Sequence, residues 1–102
     1  MEVSAKEDKY VQQVRKIVLG ELKGRRVRVY FFGSRAEGKA TPGSDVDIGL
    51  EGPEVRQVIF RVREVLEEST VPYKVDVVDL GVVNPEFRDF VRSTGVLWKD
   101  WS

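Results

Sequence analysis

Between two breaks, Gly52-Pro53 and Pro72, the chain carries six apolar residues at helical spacing: Val55, Val58, Ile59, Val62, Val65 and Leu66. With Arg56, Arg61, Arg63 and Glu64 opposite, they predict an amphipathic helix over 54–69, with Pro53 as its first helical residue. A helix with one continuous apolar stripe must lie on an apolar surface, and the flanking segments supply one. Residues 26–32 alternate, Val27, Val29 and Phe31 toward one face and Arg28, Tyr30 and Phe32 toward the other. Their β-branched and aromatic types predict a strand that Gly33 ends. Residues 45–50 and 73–80 read as two more strands. A first helix runs from the capping box Ser4-Ala5-Lys6-Glu7 through Val11, Val14, Val18 and Leu22 to Gly24. A last one opens at Asn84-Pro85-Glu86, passes Phe87, Phe90 and Val91, and stops at Gly95, with Val96-Leu97-Trp98 as a short edge strand. This order defines an α/β (α+β) chain, a small sheet covered by helices. Its 102 residues suit a single domain, 1–102, with one core.

Seventeen basic residues balance seventeen acidic ones, so the overall field does not hold a nucleic acid duplex, and an anion site has to be local. Cysteine and histidine are both absent, which excludes disulfides, thiolate catalysis, His-based triads and zinc sites of the usual ligand type. The remaining chemical vocabulary is carboxylate, hydroxyl, Lys and Arg. No apolar stretch approaches the roughly 18 residues that span a bilayer, and we expect a cytoplasmic protein. The charged fraction, 33%, is of the kind also met in thermophilic proteins.

The anomaly is acid inside strands: Asp45 and Asp47 in one, Asp76 and Asp79 in another. Side chains two apart on a strand share a face, so Asp45 and Asp47 project together. Two carboxylates about 6 Å apart repel by roughly 3 kcal/mol at an effective dielectric near 20. A solvated strand face, or a turn-initiating Asp after Gly43-Ser44, would account for them separately. With no nitrogen or sulfur ligand in the chain, a hard cation such as Mg²⁺ is the natural partner for them together. Asp76 on a neighbouring strand would complete a three-carboxylate cluster able to hold two such ions for displacement at phosphorus. Asp79 competes for that third place, and mid-strand parity favours Asp76.

The loop from Gly33 to Ser44 contains Gly33, Gly38, Pro42 and Gly43, with room for one helical turn after Ser34. In Phe31-Phe32-Gly33-Ser34-Arg35, a hydrophobic strand ends in Gly-Ser, where backbone amides can approach a phosphate and the hydroxyl adds a hydrogen bond. We assign Gly33, Ser34 and Arg35 to a phosphate site, with solvent as the alternative for Arg35, and read Lys39 as a mobile loop lysine. Trp98 and Trp101 suit either a core cap or a partner interface.

Gly33-Ser34, ten intervening residues, then Asp45-Val46-Asp47 and a later strand aspartate resemble the minimal nucleotidyltransferases of the DNA polymerase β-like superfamily. The stretch from Gly33-Ser34-Arg35-Ala36-Glu37-Gly38 to Ser44-Asp45-Val46-Asp47-Ile48 is similar to that family's signature nearly position for position. Glu37 departs from it, standing where many relatives carry a basic residue. The resemblance implies a nucleotidyltransferase fold with a small mixed sheet. It implies that Gly33 and Ser34 bind β- and γ-phosphates, that Asp45 and Asp47 ligate Mg²⁺, and that Asp76 helps to position metal and deprotonates the attacking hydroxyl. The implied reaction is transfer of AMP from ATP with release of pyrophosphate. The chain has no room for an acceptor-gripping domain, so the acceptor has to bring its own surface. In this family that points to a small helical protein of the HEPN type, adenylylated on a tyrosine by its antitoxin. The alternatives are an antitoxin that binds nucleotide without turnover, and transfer to a small molecule or RNA. The sequence leaves the oligomeric state open.

Overall fold

The computed structural model describes residues 8–101. Seven elements follow one another: α1 (Lys9–Glu21), β1 (Arg28–Phe32), β2 (Val46–Glu51), α2 (Val55–Glu68), β3 (Val75–Asp79), α3 (Pro85–Thr94) and β4 (Val96–Lys99). The capping box at 4–7 lies outside the described residues. Within them, Asp8 caps α1, its Oδ1 accepting from the amides of Tyr10 at 2.8 Å and Val11 at 3.2 Å.

Several boundaries differ from the sequence expectation: β2 runs one residue later than expected, which leaves Asp45 just ahead of it, and at three other boundaries a side chain is drawn elsewhere. The first strand begins at Arg28 rather than residue 26, because Arg25 and Arg26 turn to the Glu54 carboxylate, each at 3.0 Å. Glu54 is therefore spent on that pair, makes no side-chain cap, and α2 starts at Val55 with Pro53 in the turn ahead of it. Tyr73 leaves the third strand, since its hydroxyl donates to Asp8 Oδ2 at 3.0 Å. The last helix starts as expected, with Asn84 Oδ1 accepting from the Phe87 amide at 2.8 Å.

The four strands form one sheet in the order β3-β2-β1-β4. β1 runs antiparallel to β2 and β4, whereas β2 and β3 are parallel, the pairing that a helical crossover such as α2 produces. Alternation then sorts the residues. Val29, Phe31, Val46, Ile48, Leu50 and Val77 pack with Val11, Val14 and Val18 of α1 and Val58, Ile59 and Val62 of α2. On the other face, Tyr30, Phe32 and Leu80 pack with Val91 and Phe87 of α3. The apolar residues thus form two clusters rather than one core, because helices cover the sheet on both sides. α3 is also tied down electrically: buried Glu51 meets Arg28 at 3.2 Å and accepts from Arg92 Nε at 2.9 Å. No described helix is long and apolar enough to cross a membrane.

Candidate functional site

The sheet register pairs Phe32 with Asp47 and Asp47 with Asp76, so neighbouring residues of three strands stand in a row. Strands lie about 4.8 Å apart, which makes the two aspartates immediate neighbours on one face. Gly33 follows at the end of this row with φ +84°, in the left-handed region that favours glycine. A Cβ there would run into Asp47 Oδ2 and sit 3.1 Å from its Cγ, so the carboxylate lies directly against the turn. Beyond Gly33 the chain makes one helical turn, with Glu37 N donating to Gly33 O at 3.0 Å and Lys39 N to Ser34 O at 2.9 Å. The amides of Ser34, Arg35 and Ala36 precede the first of these bonds.

The Asp47 carboxyl is held above the usual carboxylate range, first by burial, then by the negative charges of Asp76 and Asp45. Sheet acids on this face therefore have two fates: Glu51 is matched by two arginines, whereas Asp47 is surrounded by its own kind. Lys74 stands 3.8 Å from Asp76. Among the described residues no three acidic, His or Cys side chains converge into a group that could hold a metal ion as they stand. The expected three-carboxylate cluster takes the form of the cross-strand pair Asp47 and Asp76, with Asp45 just ahead of β2 in Coulombic reach. Like charges in a partly buried place hold each other apart. The donors are all hard oxygens and the chain has no His or Cys, which fits Mg²⁺ and not a zinc-type ion.

Arg35 goes inward rather than to a phosphate. It is buried, 8% exposed, and its Nε donates to Ser44 O at 2.9 Å, with Nη2 3.5 Å from the carbonyls of Thr41 and Pro42. The guanidinium lies 3.8 Å from the centre of the Tyr73 ring and 3.6 Å from Asp8. The fork thus fastens the loop immediately before Asp45 to the start of α1. No local pattern announced this, since an arginine in a polar loop reads as solvated and its partners Asp8 and Tyr73 are far away in sequence. Arg35→Ala should lower the unfolding free energy by about 3 kcal/mol, read from the denaturant midpoint. Arg35→Lys keeps the charge without the fork and should fall between it and the parent.

The remaining residues singled out by sequence separate cleanly. Asp79 pairs with Leu50 at the far end of the sheet, and its Oδ1 accepts from the Gly81 amide at 2.8 Å, closing a turn. Lys39 is exposed. Trp98 stacks on Phe31 with ring centres 4.9 Å apart, and Trp101 lies beneath the Arg28 guanidinium at 4.3 Å. A cleft of ≈ 1100 Å³ extends from Asp47 and Asp76 past Phe32 and Phe87 to Phe60 on α2. Phe60 was not expected there, because a single aromatic on a polar helix face carries no signal in sequence.

This fold and site define a nucleotidyltransferase: residues 11–97 match the family model described as nucleotidyltransferase domain, and the chain belongs to that family. Among curated proteins it is 34% identical over 71 residues to the probable protein adenylyltransferase MntA of Haemophilus influenzae (strain ATCC 51907 / DSM 11121 / KW20 / Rd), covering 68% of this chain and 62% of that protein. The chain thus spans less than two thirds of that relative's length. Among solved structures it is similar to a toxin-antitoxin crystallised with AMP-PNP, with TM-score 0.68 and 21% identity over 84% of this chain and 73% of that one. A provisionally assigned minimal nucleotidyltransferase gives TM-score 0.66 and 22% identity over 92% and 95% of the two chains. At such identities the solved structures speak to the fold.

Proposed function

We propose that this chain transfers AMP from ATP to a hydroxyl of another protein, with Asp45, Asp47 and Asp76 holding Mg²⁺. One observation carries the reading: the Asp47 carboxylate lies against the Gly33 turn, with Asp76 as its cross-strand neighbour. Gly33 and Ser34 would receive the β- and γ-phosphates through their amides and the Ser34 hydroxyl. The acceptor oxygen bonds to the α-phosphorus as the bond from that phosphorus to the bridging oxygen breaks, and pyrophosphate leaves. The hydroxyl proton passes to Asp76. Bound Mg²⁺ supplies neutralisation of the phosphate charge.

The acceptor we favour is a tyrosine of a small helical HEPN-type toxin, with this chain as its antitoxin. The naming of the Haemophilus relative as an adenylyltransferase of proteins supports it, as does the toxin-antitoxin neighbour bound to an ATP analogue. A second toxin-antitoxin neighbour carries aspartate-to-glutamate replacements two positions apart, the spacing of Asp45 and Asp47. The test is incubation with labelled ATP, Mg²⁺ and a HEPN-type protein. Label should appear on the partner and vanish with EDTA. Partner binding without labelling would favour neutralisation by complex formation alone.

A further inference from the structure

We propose that the acceptor reaches this site over the free edge of β3, in a cleft shaped for a segment of protein with cationic residues beside its hydroxyl. The proposal rests on the transfer reaction above and adds the side and the surface of acceptor entry. In-line displacement puts the leaving pyrophosphate and the attacking oxygen on opposite sides of the phosphorus. The sheet ranks the relevant groups across its width: Gly33 at the end of β1, Asp47 on β2, Asp76 on β3. With phosphates on the Gly33 side, the hydroxyl arrives from the Asp76 side.

β3 is the terminal strand, and the cleft beyond it leads from Asp47 and Asp76 to Phe60. Phe60 is 76% exposed in that cleft, with the Arg63 guanidinium 5.8 Å from its ring centre. It shares one side of α2 with Glu64 and Glu67, at the i, i+4, i+7 spacing of a helical stripe, and all three line the cleft.

Two features favour a protein over a nucleic acid as occupant. Of the cleft carboxylates, Asp47 and Asp76 belong to the proposed metal site, which leaves Glu64 and Glu67 on α2 to meet an incoming segment. Glu64 also pairs with Arg61 at 3.0 Å, and of the cleft cations Arg63 and Lys74, Arg63 already donates to Val77 O at 2.7 Å. A phosphate backbone passing Glu64 and Glu67 would be repelled, whereas arginine or lysine would be drawn in. The edge itself is the second feature. Lys74 O accepts from Val46 N and Leu80 N donates to Leu50 O, so even-numbered amides of β3 face β2. The odd-numbered ones turn to the cleft, where the Val77 carbonyl already accepts from Arg63 and the Asp79 carbonyl from Val82 N, so an extended peptide would pair through the outward N–H groups and the Val75 end of the strand.

The experiment offers labelled ATP and Mg²⁺ with three acceptors: a short tyrosine peptide flanked by arginines, the same peptide flanked by glutamates, and an oligouridylate with a free 3′-hydroxyl. The arginine-flanked peptide should be labelled about tenfold faster than the other two. Charge reversal with Glu64→Lys and Glu67→Lys together should invert the order of the peptides. Phe60→Ala should slow the arginine-flanked peptide about tenfold with unchanged ATP affinity. Equal labelling of the two peptides, a preference unmoved by charge reversal, faster labelling of the oligonucleotide, or no labelled peptide from protein that binds ATP and Mg²⁺ would each overturn the proposal. A parent protein that fails to bind ATP and Mg²⁺ fails the transfer reading itself and takes this one with it.

Discussion

Asp47→Asn should reduce AMP transfer by about 10³-fold while making the ligand-free protein about 1 kcal/mol more stable. The two effects have one origin. Burial and the charges of Asp76 and Asp45 raise the carboxyl above its ordinary range, so the folded state binds a proton there more tightly than the unfolded chain does. As pH rises from the ordinary carboxylate range through that elevated value, the folded protein must give up this proton, and stability falls. An amide has no proton to give up and feels no like-charge repulsion, so the variant should keep its stability across the same window. It also loses the anionic ligand proposed for Mg²⁺, hence the expected fall in rate. Transfer by the parent should rise with pH through the same window, because the ionised form is the one that would bind metal in the proposed reaction. Thermal melts at a series of pH values, with rates measured in parallel, read both halves. A variant less stable than the parent throughout would show that the carboxylate is held by attraction instead.

Gly33→Ala should cost about 3 kcal/mol of stability and eliminate transfer. A left-handed conformation costs an L-residue roughly 1–2 kcal/mol. The new methyl would in addition displace the Asp47 carboxylate, which cannot retreat toward Asp76 without closer like-charge contact. Gly38→Ala is the internal control. Gly38 also has a positive φ, +74°, yet nothing lies within 4 Å of a Cβ placed there. It should cost only about 1 kcal/mol, with transfer retained. Denaturant midpoints and labelling rates for the pair separate backbone strain from damage to the site; equal losses in both variants would mean that contact with Asp47 is immaterial.

The elements were legible in this chain because the periodicities are local. The stripe from Val55 to Leu66 and the alternation of Val29, Tyr30, Phe31 and Phe32 each fix a face without reference to the rest of the molecule. Parity likewise separated Asp76 from Asp79, whereas Asp45, expected inside the second strand, stands just ahead of β2. Illegible were the points where a distant charge recruits a side chain. Glu54 pairs with Arg25 and draws Arg26 out of a strand pattern, and Asp8 holds Tyr73 and Arg35 together across 65 residues of sequence. Arg35 is the clearest case: its residue type suits a phosphate contact, and only the fold reveals three carbonyls already waiting for it. The two-sided core follows from the same limit, since a helix pattern names the apolar stripe but not which face of the sheet it meets.

The central claim is that Asp47 and Asp76, beside the Gly33-Ser34 turn, make a joint site for a divalent cation and a nucleoside triphosphate. The direct measurement is calorimetric titration of ATP into the protein with and without Mg²⁺, repeated on Asp47→Asn. The account predicts binding that tightens at least about tenfold with Mg²⁺ and loses that gain in the variant. ATP binding that is absent, or equally strong without Mg²⁺ and unchanged by Asp47→Asn, would contradict it.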